Sequence, residues 1–267
     1  MPLHLDAITN AAHREEIFAW LVRERLDTAE EVFCTEDKTL LHARAALCDA
    51  ETGETLGRAL YTLRMDWEAP RMLLEDLDLV LDGGSRAPLR FLRRYGETGE
   101  IYEAETAGTE QHLIVEAVNR HTVPGALENR TLPAQITVIP FEMNIFPDIG
   151  AFNAFAGFGQ EIEAADTGLR IGGFSETFLM PGNADPEACY TFLLGRVSSL
   201  RRVTLRLGEF RVPLVLAQAE TALGSVPVPL NGGWFDLRTL RVGSLLAMNA
   251  DVKADLAADA DFQPARS

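Results

Sequence analysis

Lysine is nearly missing from this sequence. Of 24 basic side chains only Lys38 and Lys253 are lysines, and the rest are arginines. We read that skew as composition bias rather than function. Cysteine is scarce as well. Cys34, Cys48 and Cys189 are widely spaced, odd in number and without a CxxC pair. This argues against a disulfide framework or a thiolate metal site, and for structural thiols in a reducing cytoplasm. Long apolar runs are absent too: Ile136–Phe141 is among the longest and far too short to cross a bilayer. The opening Met1-Pro2-Leu3-His4 has neither a basic region nor an apolar stretch, so no secretory signal is expected.

Motifs that carry catalysis are missing in the same way. There is no Gly-X-Ser-X-Gly elbow, no phosphate-cradling Walker loop and no Gly-X-Gly-X-X-Gly behind a strand. Gly157-Phe158-Gly159 is too short to count as one. No cofactor is expected, and the reading leans away from an enzyme.

What is present is a division of charge. The net charge of −16 is uneven: residues 1–188 carry fifteen basic against thirty-three acidic side chains, and residues 189–257 carry eight against five. A basic stretch joined to an acidic body either docks on that body or offers a surface to another anion. With 267 residues and 47% hydrophobic content, the chain can bury a substantial core.

Periodicity predicts one N-terminal helix over about residues 10–26, with Ile17, Phe18, Leu21 and Val22 near helical spacing and Asn10 as its cap. Strands follow. Leu40–Cys48 and Leu56–Met65 flank a turn in which Gly53 supplies positive φ. Leu77, Leu79 and Leu81 alternate with Asp76, Asp78, Val80 and Asp82, as in a half-exposed strand that stops at Gly83-Gly84. The acidic run from Glu75 to Asp78 is read as solvated. A second Glu-Thr-Gly-Glu turn, residues 97–100, leads into a strand at Ile101–Ala104, and His112–Val118 is another.

Seven of fourteen phenylalanines fall between residues 141 and 178: Phe141, Phe146, Phe152, Phe155, Phe158, Phe174 and Phe178. Pro147-Asp148 can open a short helix that carries Phe152 and Phe155. These rings are expected to form the hub between two subdomains, or else an apolar pocket or docking patch.

From Tyr190 the pattern is long strands with tight turns. Val203, Leu205 and Leu207 alternate with Arg202, Thr204 and Arg206. After Gly208-Glu209 the alternation resumes from Phe210. A two-residue loop with glycine first predicts a hairpin that pairs Leu207 with Phe210 on the inner face and Arg206 with Arg211 on the outer face. Like charges so opposed weaken a sheet, which a nearby anion would relieve. With strands at Gly224–Leu230 and Val242–Val252, this stretch reads as an OB-like small barrel.

The fold expected is therefore mainly β (β-rich α+β), with an N-terminal helix, an antiparallel sheet body and the C-terminal barrel. Its divisions are residues 1–133, a Phe/Gly-rich connection 134–188, the barrel 189–257 and a tail 258–267. Arg202, Arg206 and Arg211 are the leading binding residues, for an acidic protein partner or a second copy of the chain. An enzyme or carrier acting on an apolar small molecule held among the phenylalanines is the second option. Single-stranded nucleic acid is the third, disfavoured because only Tyr190, Phe192 and Trp234 could stack bases. His112, Glu116 and His121 have the ligand types for a metal, but not a spacing that specifies one, and no metal is expected.

Overall fold

In the computed structural model, the described residues are 7–9, 13–35, 39–66, 68, 71–95, 100–107, 109–157, 173–183 and 190–256. The chain is mainly β and its sheets are almost wholly antiparallel. The N-terminal helix runs Arg14–Trp20, widens into a π-helical segment Leu21–Arg25 and closes as a 3-10 turn Leu26–Thr28. The residue before it is His13 in a left-handed backbone with φ 56° and no side-chain cap; the expected cap, Asn10, lies outside the described residues.

Strands β1 (Glu30–Cys34), β2 (Leu40–Cys48), β3 (Thr55–Asp66) and β4 (Arg71–Leu81) form a four-stranded sheet in that order. The β2–β3 turn holds Gly53 at φ 73°, as its sequence demands. Alternation gives this sheet two faces. Ala43, Ala45, Leu47, Ala59, Tyr61, Leu63, Leu77 and Leu79 enter an apolar core with Ile17 and Leu21 of the helix. The other face carries His42, Arg44, Arg58, Thr62, Asp76 and Asp78.

The remaining strands make one large sheet that closes partly on itself. Strands β5 (Arg86–Arg94), β6 (Ile101–Thr106) and β7 (His112–Ala117) form a meander. Strand β8 (Thr131–Phe146) pairs with β5, and β13 (Leu245–Leu256) pairs antiparallel with β8 and parallel with β7. These five strands close a ring. Leu89, Phe91, Tyr102, Ala104, Leu113, Val115, Ile136, Val138, Val252 and Ala254 fill its interior. Such closure removes exposed strand edges.

The expected C-terminal barrel is thus corrected in composition. Strands of residues 189–257 do not close alone; four of the five ring strands come from residues 86–146. The division expected at residue 133 falls inside β8. Outside the ring, β10 (Tyr190–Leu207) pairs with β13, with β9 (Leu179–Asn183) and with β11 (Phe210–Thr221), and β12 (Gly224–Leu230) adds to β11. The near end of β10 joins the ring core through Leu193 and Val197. Its far end, Val203 to Leu207, packs with Val212 and Leu214 in the core beneath the four-stranded sheet.

The phenylalanines are not the hub between the two sheets. Phe146, Phe152, Phe174, Phe178 and Phe192 form a separate cluster with the short helix Ile149–Phe155, whose cap Asp148 accepts the Ala151 N–H at 2.8 Å. Phe155 is 72% exposed, and Phe141 packs edge-on against Tyr190 instead. Phe158 lies outside the described residues, as do residues 96–99 of the second turn and the tail.

Candidate functional site

Two groups of charged residues stand out, one buried and one exposed. The buried group lies where the polar face of the four-stranded sheet meets the outer wall of the ring. On β13, Val252, Ala254 and Leu256 point into the ring, so the side chains between them point out. Lys253 is one of these and is 3% exposed. Its Nζ donates to Asp78 Oδ1 of β4 at 2.8 Å and to Glu116 Oε2 of β7.

Burial favours a neutral lysine, but Asp78, Glu116 and Asp251 outweigh it, and the ammonium is held above its ordinary range. Burial pushes the carboxyl of Asp78 well above its usual range, with Lys253 pulling the other way. Asp76 and Asp251 are raised as well, chiefly by burial. Ligand atoms of Asp76, Asp78 and Glu116 lie within 4.8 Å of one another, a spacing a cation could use, and the lysine ammonium is bonded to two of the three. We assign the group a structural role: it joins two β layers through charge.

The same layer continues along β2 and β3. Arg44 Nη2 reaches Asp255 Oδ1 at 3.1 Å. His42 Nδ1 lies 3.2 Å from Thr62 Oγ1, and its ring stacks on His121 at 5.4 Å. Burial, helped by the neighbouring His121, lowers His42 to about 4. Thr137 Oγ1 accepts the Leu81 N–H at 2.9 Å and fastens the end of β4 to β8.

The weak metal candidates also have partners within the chain. His112 Nδ1 contacts Glu103 Oε1 at 2.8 Å, Glu116 holds Lys253, and His121 Nε2 contacts Glu100 Oε1 at 3.0 Å. The three residues are engaged separately and form no ligand set. The reading of Glu75 to Asp78 as solvated holds for Glu75, which is exposed, and is corrected for Asp78, which is 2% exposed. Sequence offered one signal for this site, one of only two lysines in a chain that otherwise uses arginine, flanked by Val252 and Ala254.

The exposed group is the arginine face, and the structure places it as its register requires. Leu207 pairs with Phe210 and Arg206 with Arg211, across a turn with Gly208 at φ 67°. Arg202 lies four residues before Arg206 on the same strand face, and all three arginines are exposed. Among the described residues none of the three has an ion pair. Their neighbours on the same strand do: Arg201 Nη1 meets Glu54 Oε2 at 2.6 Å and Arg196 Nη1 meets Glu176 Oε2 at 3.2 Å.

The acidic β2–β3 turn reaches the edge of β10 here. Asp49 bridges Leu205, and Ala50 N–H donates to the Thr204 carbonyl at 2.7 Å. Backbone N–H bonds, first from Glu51, hold the Asp49 carboxyl below its usual range. The basic stretch therefore docks on its own body, but through Arg201 and backbone, leaving Arg202, Arg206 and Arg211 uncommitted.

Beside Arg206 opens a cleft of about 760 Å³ lined by the N-terminal helix, the end of β2 and the β10–β11 turn. The expected stacking residues are elsewhere. Tyr190 and Phe192 sit at the opposite end of β10, among other phenylalanines, and Trp234 Nε1 donates to the Phe141 carbonyl at 3.0 Å. No helix is long and apolar enough to cross a membrane among the described residues. Comparison with protein-family models, curated proteins and solved structures gave no match.

Proposed function

We propose that this protein is an interaction module whose contact is the outer face of the β10–β11 hairpin, where Arg202, Arg206 and Arg211 dock on a carboxylate-rich protein surface. The observation that carries this reading is the contrast along one strand: Arg196 and Arg201 are paired, and the three on the hairpin face are not. Guanidinium groups match carboxylates in a planar, two-bond geometry and retain less water than ammonium groups, which suits a protein interface. The acidic body of a second copy is one such surface, given the excess of acid over residues 1–188.

The five-strand ring is the part of the chain to which the OB-like reading transfers. In barrels of that type the second and third strands carry the nucleic-acid face. Here those strands are β6 and β7, whose Glu103 and Glu105 pair with Arg93, His112 and Arg90 and whose Glu116 holds the buried Lys253. These side chains are committed to partners within the chain, whereas Arg202, Arg206 and Arg211 are not, so the protein-binding reading on the hairpin is the better supported. The central phenylalanines pack ring to ring with centroids 4.5 to 6.4 Å apart, which favours a structural core over a ligand pocket.

Sedimentation of the wild type and of an Arg206→Glu/Arg211→Glu variant, at about 50 mM and about 500 mM salt, tests this. The expected result is association at low salt that the variant loses, with little difference at high salt. A variant that associates like the wild type at both salt levels overturns the reading, and a wild type that stays monomeric at both rules out the second copy as the acidic surface.

A further inference from the structure

The cleft next to the arginine face is built differently from the face itself. Its lining includes apolar and aromatic residues: Ala19 and Trp20 of the helix, Ala46 and Cys48 of β2, and Phe210 of β11. Charged groups of both signs surround them: Arg23, Arg25 and Arg206 with Glu16, Glu24 and Glu209. Two of these six are occupied. Arg25 donates through Nε to the Ala46 carbonyl at 3.0 Å and through Nη1 to Thr28 Oγ1 at 3.2 Å, and Glu16 lies 3.8 Å from His13 Nδ1. Arg23, Arg206, Glu24 and Glu209 have no ion pair among the described residues. The cleft thus offers two uncommitted cations and two uncommitted anions alongside Trp20 and Phe210.

Its geometry is held from behind. Arg23, Glu24 and Arg25 belong to the π-helical segment Leu21–Arg25, a widened turn of a kind that recurs at functional sites. The buried Tyr61 hydroxyl donates to the Leu21 carbonyl at 2.9 Å and anchors that turn. On the opposite wall Gly208 lets the Trp20 indole lie against the hairpin turn, since a Cβ there would come within 2.8 Å of the indole Cδ1 and Cγ. His13 stacks on Phe210 at 4.8 Å, fixing that ring.

We propose that the cleft binds a small zwitterion with an apolar body, of the α-amino-acid class. Arg23 and Arg206 would receive the carboxylate, Glu24 and Glu209 the ammonium, and Trp20 and Phe210 the side chain. A simple carboxylate would meet the two glutamates, and a simple amine the two arginines, so only a molecule with both charges satisfies the whole lining. The volume is that of a small-molecule site. This inference shares Arg206 with the docking face but does not rest on the docking reading.

The test is titration of the full chain with L-phenylalanine and L-leucine, followed by calorimetry and tryptophan emission. The two halves of the first ligand, 3-phenylpropionate and phenethylamine, are titrated alongside. Saturable binding of at least one amino acid is expected, with each half weaker by about tenfold or more. Arg23→Gln should weaken the amino acid and 3-phenylpropionate by about tenfold and leave phenethylamine unchanged, and Glu24→Gln should do the reverse. Both positions are exposed and should leave the fold intact. Equal binding of the zwitterion and its halves, indifference to both substitutions, or no saturable binding of either amino acid overturns the proposal. Neither Arg23 nor Glu24 belongs to the docking face, so their variants should keep the self-association of the wild type even where amino-acid binding is lost.

Discussion

The charged layer around Lys253 and the arginine face on β10–β11 use the same kind of side chain to opposite ends. In the first, one ammonium is enclosed by carboxylates from β4 and β7, and both partners are contributed by the chain itself. In the second, three guanidinium groups share an exposed face with no acid bound to them. Water explains the difference. A buried ion must find its partners within the fold, because desolvation leaves it nothing else. An exposed one is satisfied by solvent and stays available for another molecule. Charge inside therefore reports on architecture, and uncommitted charge outside on function.

The strongest way to break this comparison is to remove the buried cation. Lys253→Met should destabilise the protein by about 3–5 kcal/mol in urea unfolding, because Asp78 remains buried without its partner and the half-buried Glu116 loses its own. Adding Asp78→Leu should recover much of that loss. A single variant within about 1 kcal/mol of the wild type would show that the layer is not the junction described here.

Acid should act on the same layer through His42. Its folded value, about 4, lies below its ordinary 6.5, so between these values the unfolded chain binds the extra proton. Stability is then complete above pH 6.5 and falls as the pH drops toward 4, by at most about 1.4 kcal/mol per pH unit. The raised carboxyls, Asp76, Asp251 and Asp255, work in the other sense. Their contribution is present at low pH and lost as pH rises through their raised values. The decisive measurement is therefore the difference between wild type and His42→Asn, in which the variant should show the flatter acid limb.

A smaller effect is expected at the hairpin. Gly208→Ala should cost about 1–2 kcal/mol, since it places a side chain at φ 67° against the Trp20 indole. The exposed face sets the lower end of the scale. Arg206→Glu with Arg211→Glu should change thermal stability by less than about 0.5 kcal/mol while altering association. Should that pair cost as much as Lys253→Met, the arginines would be part of the architecture after all.

What could be read from the sequence was local. Gly53 and Gly208 each mark a turn between alternating strands, so both hairpins, and at Gly208 the register that opposes Arg206 to Arg211, followed from neighbours a few residues apart. The Lys253–Asp78 pair spans 175 residues and exists only because one sheet covers another. Alternating aspartates on β4 look solvated until that second layer is known. Ring closure was hidden for the same reason, since β13 pairs with β7 and β8 across more than a hundred residues. The phenylalanine-rich stretch misled because aromatic density identifies a cluster but not which surfaces it joins.

Strand β10 is eighteen residues long and places its two ends in different apolar cores. Neither half of the molecule can come apart without breaking the backbone ladder that the other half also uses. Amide protons in the middle of that strand should thus exchange with solvent only through opening of the entire protein. The two sheets should melt in a single cooperative step, despite the charge-rich seam that separates them.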